Sequence, residues 1–154
     1  RFQEYLYDGL AISEHESYGR VYKNQSEFGV LPEYYIGNRE YTEVLNDDKK
    51  ALTSFFVIDD NISFNEAKAE ANISFICQVN LKKAFPSITH RADEEFINNV
   101  VYLLTVSPYI NSLNNIVRGV DNVFSEFKKE GLYDMQDFFF VRFNITINYQ
   151  YQCF

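Results

Sequence analysis

The residues of this chain that could do chemistry are few and poorly gathered. His15 and His90 are its imidazoles, and neither has another strong ligand at a spacing that makes a site. Glu14-His15-Glu16 sets three ligating side chains in a row, but adjacent residues point apart on a helix or strand, so the run reads as a solvated charged turn. Asp59-Asp60-Asn61, followed by Ser63, Asn65 and Glu66, has some of the ligands of a calcium loop. It lacks the alternating acids and central glycine of an EF-hand and reads as a loop that ends a strand. Glu94 and Glu95 are better explained as partners of a helix dipole than as an acid–base pair. Cys77 and Cys153 fall on the apolar faces of two expected strands and read as buried thiols, not as a disulfide framework. No G-x-S-x-G, P-loop or GxGxxG motif occurs. The expectation is a protein without enzymatic activity, cofactor or bound metal.

Composition narrows the classes further. A chain of 154 residues suits one domain, 1–154, that buries about 68–70% of the surface its unfolded form exposes, with no need of a disulfide or metal. The formal charge of −8 argues against gripping nucleic acid through its phosphates, which takes clustered Lys and Arg. No run of 18 apolar residues is present, so no transmembrane helix is expected. The chain begins at Arg1 without Met and shows no apolar signal-peptide core. Sequons start at Asn24, Asn61, Asn72 and Asn144, but the last two lie in expected strands where a glycan fits poorly, and secretion is not supported. Asn occurs 15 times, a bias an AT-rich coding sequence produces by itself, so enrichment alone carries no functional signal.

The elements that must position these residues follow from periodicity. Phe2, Tyr5, Leu6 and Leu10 keep helical spacing and predict a helix ending near Gly9 to Ser13. A short strand at Tyr18–Tyr22 and an aromatic extended piece at Glu33–Ile36 follow, the latter closed by the turn signal Gly37-Asn38. Thr42–Leu45 and Ala51–Ile58 predict a hairpin across the polar run 46–50, broken off by Asp59-Asp60-Asn61. Next comes a long strand, about Glu66–Leu81, with Ile73, Phe75, Cys77, Val79 and Leu81 on one face. Ala92–Val106 is the strongest helix, with Asp93, Glu94 and Glu95 in its first turn and Pro108 as its stop. Leu113 to Gly119 reads as a strand, followed by a short helix capped by Asp121 and ending in Lys128 and Lys129.

The C-terminal stretch from Phe138 onward is the most regular. Val141, Phe143, Ile145, Ile147, Tyr149, Tyr151 and Cys153 point one way, and Arg142, Asn144, Thr146, Asn148, Gln150 and Gln152 point the other. It should share one sheet with the strand near 66–81, and the helix at 92–106 should cover their common apolar face. The polar face is almost all amides, which are poor strand formers. Arg142, Asn144, Asn148 and Gln150 are therefore expected at an assembly interface, where amides fix register without burying charge. The aromatic run Phe138-Phe139-Phe140 reads as core plus subunit contact, since no basic groove accompanies it. The fold class is α+β: a single mixed or antiparallel sheet with an N-terminal helix and one main helix packed on it.

The order of segments carries a resemblance. Pro32-Glu33-Tyr34-Tyr35-Ile36-Gly37-Asn38, the hairpin from Tyr41 through Asp60, the strand Ile73 to Lys83, the helix from Arg91, the D-N-V-F-S-E-F run from Asp121 and the final strand together resemble small proteins encoded among the structural genes of tailed phages and prophages of Bacteroidota. The architecture is similar to tail terminator and tail-completion proteins. The resemblance implies a virion protein of the head-proximal tail or neck, made in the host cytoplasm. It implies assembly into a homo-oligomeric ring, a hexamer in that family, contact with other neck and tail proteins, passage of DNA without specific binding, and no membrane. It transfers no catalytic residue. A ring protein needs long strands across subunit boundaries, head-to-tail surfaces and a lumen that does not hold DNA, and an acidic, amide-faced sheet suits all of these. The alternatives are a small tail-accessory or adaptor protein of the same virion and, in a different class, an extracellular carbohydrate-binding module.

Overall fold

A computed structural model describes residues 2–27, 29–44, 49–65, 68–127 and 138–148, the side chains of 59–65, 68 and 148 excepted. Helix α1 (Phe2–Leu10) buries Phe2, Leu6 and Leu10, one residue per helical turn on one face. Ala11 beyond it takes a left-handed φ of 51°, and its N–H bonds back to the Tyr7 carbonyl at 3.4 Å, so the chain leaves the helix sharply. The strands are β1 (His15–Arg20), β2 (Tyr22–Ser26), β3 (Gly29–Gly37), β4 (Glu40–Glu43), β5 (Leu52–Asn65), β6 (Lys68–Asn80), β7 (Ile110–Arg118) and β8 (Phe138–Asn148). The remaining helices are α2 (Leu81–Ala84), α3 (Asp93–Val106) and α4 (Val120–Val123).

The expected α+β class holds, but there are two sheets where one was expected. Five strands pair in the order β1-β5-β6-β8-β7, and β2-β3-β4 form a separate meander. The chain crosses between them at Val21, whose N–H bonds the Phe56 carbonyl at 2.8 Å. The cause lies in the Gly37-Asn38 signal, which makes the β3–β4 hairpin. Gly37 pairs with Glu40 across a two-residue turn in which Asn38 and Arg39 have φ of 51° and 63°, the handedness a tight hairpin favours. With β4 taken by β3, the hairpin expected between Thr42–Leu45 and Ala51–Ile58 does not form. Instead β5 pairs in parallel with β1 and antiparallel with β6. Nor does Asp59-Asp60-Asn61 end the strand: it falls in a register shift between Ile58↔Ile73 and Ile62↔Ala71, a bulge that absorbs the polar triplet. The short helix starts after Gly119, not at Asp121, and Lys128 and Lys129 lie outside the described residues.

β6 and β8 pair over eleven positions, from Glu70↔Asn148 to Asn80↔Phe138. Their shared face enters one core that holds Ile73, Phe75, Cys77, Val79, Val141, Phe143, Ile145 and Ile147 against Phe96, Val100 and Leu104 of α3 and Phe2 and Leu6 of α1. This is the arrangement the alternation predicted. Leu81, read on that face of the strand, starts α2 instead. Asn80 turns the strand into that helix, its Oδ1 accepting from the Lys83 N–H at 3.2 Å. The opposite face of the sheet holds a second cluster in which Phe55, Val57, Ile76 and Phe140 meet Val120, Val123, Phe124 and Phe127 and, from the meander side, Val21 and Val44. The run 138–140 is thus split between two cores: Phe139 joins the first, Phe140 the second, and Phe138 packs at its margin.

Candidate functional site

The second face of the main sheet changes character halfway along its strands. On β6 it passes from Gln78 and Ile76 to Ser74 and Asn72, and on β8 from Phe138 and Phe140 to Arg142, Asn144 and Thr146. The apolar half is covered by the second core. The polar half lies in a recess of about 420 Å³ lined by Lys23 of the meander, Val57, Asn72, Ser74, Asn114, Asn115, Glu126, Arg142 and Asn144. Two register shifts in β7, at Ile110/Ser112 and Leu113/Asn115, turn the neighbours Asn114 and Asn115 to this one face, which simple alternation forbids.

Arg142 stands at the boundary, its side chain only 13% exposed. Its guanidinium pairs with Glu126, donates to the Val123 carbonyl at 3.2 Å, and donates through Nε to Asn144 Oδ1 at 3.0 Å. Ser74 donates to the same oxygen at 2.6 Å. Asn144 Nδ2 then donates to Asn115 Oδ1 at 2.7 Å. Farther along the strand, Asn114 Nδ2 donates to Thr146 Oγ1 at 3.0 Å and Thr146 donates to Asn72 Oδ1 at 2.8 Å. Of the residues expected at an assembly interface, the structure brings Arg142 and Asn144 together and ties both into their own fold. Asn148 lies in register opposite Glu70 with its side chain outside the description, and Gln150 lies outside the described residues.

Arg142 is therefore a clamp between β8 and the turn after α4. Replacing it with Met keeps the aliphatic stem but leaves Glu126 and the Val123 carbonyl without their donor. Because the pair is partly exposed, the loss should be about 2 kcal/mol, below the range for a fully buried ion pair. Chemical denaturation of Arg142→Met against wild type checks this; an unchanged midpoint would show the clamp to be idle.

A second arrangement was not read from the sequence. On the outward face of the meander, Tyr35 pairs with Tyr41 in register, their ring centroids 5.1 Å apart, and Tyr41 meets Tyr22 edge-on at 6.0 Å. The Arg20 guanidinium lies 5.0 Å over the Tyr22 ring. All three tyrosines are 40–44% exposed. The signal was present: once Gly37-Asn38 is read as a hairpin turn, Tyr35 and Tyr41 fall opposite each other.

The residues first weighed for chemistry are placed differently. His15 is not in a solvated turn but buried in β1, 8% exposed, with Nε2 2.7 Å from Ser54 Oγ and its ring stacked on Tyr7 at 4.9 Å. Burial holds its pKa down at about 4. Ser54 is fully buried, so this pair reads as a tie between β1 and β5, not as nucleophile and base. Burial pushes the Cys77 thiol well above its ordinary range. Cys153 lies outside the described residues, as do the side chains of the 59–66 calcium-like run. Glu94 pairs with Arg118 at 2.6 Å on the surface. No cluster of three or more His, Cys, Asp or Glu able to hold a metal occurs among the described residues, and no helix among them is long and apolar enough to cross a membrane. No protein-family model, curated protein or solved structure matches the chain.

Proposed function

We propose that this chain is a structural subunit of a tailed-phage virion, a tail terminator or neck-ring protein at the head-proximal end of the tail that works by assembly. The observation that best supports the assembly reading is the exposed tyrosine face of the meander. Tyr and Arg are enriched where protein interfaces carry their binding energy, and tyrosine offers a large rigid surface at low entropy cost. Four of the seven large exposed apolar or aromatic side chains among the described residues, Tyr22, Tyr35, Ile36 and Tyr41, belong to this small sheet. The location in the virion rests on the resemblance in segment order. In this reading the negative chain lets DNA pass without holding it, and Asn148 and Gln150, expected at an interface from the sequence, extend the contact region. An adaptor of the same virion that binds as monomer or dimer is the nearest alternative. The same tyrosines also favour a second reading, a carbohydrate platform, because sugar rings stack on exposed aromatic faces.

Mass measurement in solution combined with electron microscopy separates these readings. Rings of about six subunits are expected from the resemblance, and a ring of more than two subunits closes through a head-to-tail interface. Tyr41→Ser, on an exposed outward face, should leave the circular dichroism spectrum unchanged and weaken assembly by about 30-fold, the effect of losing a contact worth about 2 kcal/mol. A wild-type protein monomeric at all concentrations would sink the ring, and a Tyr41→Ser variant that assembles normally would remove this face from the interface. Saturable binding of oligosaccharides to the monomer, lost in the same variant, would favour the sugar platform.

A further inference from the structure

The recess on the polar half of the sheet carries donors that its own hydrogen bonds leave unused. A guanidinium can only donate, so the Arg142 Nε bond fixes Oδ1 of Asn144 toward Arg142 and Ser74, which leaves Asn144 Nδ2 to point at Asn115 Oδ1. On the other side, Ser112 donates to Asn114 Oδ1 at 2.8 Å, and Asn114 and Thr146 pass the chain on to Asn72 Oδ1. The side-chain oxygens of Asn72, Asn114 and Asn115 each accept one bond within the fold, and that of Asn144 accepts two. With these oxygens turned to their neighbours, the Nδ2 groups of Asn72 and Asn115 have no partner among the described residues and are free to donate. Lys23, which lines the same recess, has no ion-pair partner among them either. The one carboxylate on the wall, Glu126, is balanced by Arg142, so the lining carries a net positive charge in a chain of −8.

We propose that this recess binds an oxyanion, a carboxylate or a phosphate, between the Lys23 ammonium and the outward N–H groups of Asn72 and Asn115. Donors already oriented by their neighbours lose little freedom on binding, and a bond from an ammonium to an anionic oxygen is among the stronger hydrogen bonds available. Neither property depends on ring assembly.

The test is a titration at matched ionic strength with inorganic phosphate and, separately, with succinate. Calorimetry reads the affinity, and nitrogen–proton spectra of the side-chain amides read the place. The expected result is a saturable shift of the Asn72 and Asn115 amides with at least one of the two anions; which anion binds more tightly identifies the source chemistry. Lys23→Gln, on an exposed position, should weaken binding by about tenfold or more, the effect of removing one charge-assisted bond. Asn115→Asp keeps an oxygen to accept from Asn144 but replaces the outward donor with an acceptor, and should abolish binding while the thermal midpoint stays near wild type. No saturable shift with either anion overturns the proposal. So does binding that survives both substitutions in folded protein.

Discussion

Phe143→Ala is expected to destabilise the protein by about 3–5 kcal/mol, the range for emptying a large aromatic site in a closed core. Phe143 is fully buried at the centre of β8, paired with Phe75 on β6 and Ile116 on β7, and its ring lies 6.2 Å from that of Phe75. Both layers bound its site: the sheet fixes its backbone on two sides and α3 closes the face with Phe96, Val100 and Leu104. A ring held on every side leaves a cavity that its neighbours cannot fill by small shifts. For a domain of this size the loss corresponds to a fall in thermal midpoint of roughly 6–20 °C. Calorimetry or denaturant unfolding measures it. A midpoint within a degree or two of wild type would mean that this face of β8 is not a closed core.

Stability should also fall by roughly 3 kcal/mol as pH drops from about 6.5 to about 4, through His15 alone. Its folded pKa is lowered to about 4 by burial, whereas the unfolded side chain titrates near its ordinary value. Between those limits the unfolded chain takes up a proton that the folded chain refuses, so the contribution is complete above pH 6.5 and lost by pH 4. Below that both states are charged and the dependence ends. Carboxylates titrate in the same range, so the quantity to measure is the difference between wild type and His15→Gln, whose side chain does not titrate. The stability of wild type minus that of the variant should fall by roughly 3 kcal/mol as the solution is acidified from about pH 6.5 to about 4. A difference that stays constant across that range would show that the imidazole is not held neutral by the fold. Tyr7 stacked on the ring, with Glu4 and Glu16 beside it around a shallow hollow, makes the N-terminal helix the element most exposed to this change.

These two residues also show what the sequence made legible. Phe143 was readable because period 2 runs unbroken through β8, and an alternating strand with one apolar face has one place to put it. His15 was not, because the three-residue run around it looks like surface charge. Its burial depends on β1 meeting β5 in parallel, a pairing across 37 positions from His15 to Leu52 that no local pattern records. The recess lies between these cases. The polar alternation of β8 was plain, but the halfway change from apolar to polar on that face comes from what covers it, and Asn114 and Asn115 reach it only through bulges in β7. The tyrosine face was hidden by assigning Thr42–Leu45 to the wrong partner. One turn, Gly37 to Glu40, decides which strand β4 joins and hence that there are two sheets.

The position of β8 inside the main sheet governs the order in which that sheet can form. β7 precedes β8 in the chain, yet its described pairing is with β8 alone, and β8 is also the strand that joins it to β6. Until residues 138–148 are available, β7 has no strand beside it, and the odd-numbered apolar face of β6 lacks its neighbour. The last-described strand is inserted between two earlier ones, across separations of 58 to 78 positions from β6. Such distant pairing carries a loop-closure cost before any contact rewards it, so this topology belongs with the slow folders. On the ribosome, α1 and α3 can reach β6 early, but β7 and the gap beside β6 stay without their partner strand until residues 138–148 emerge.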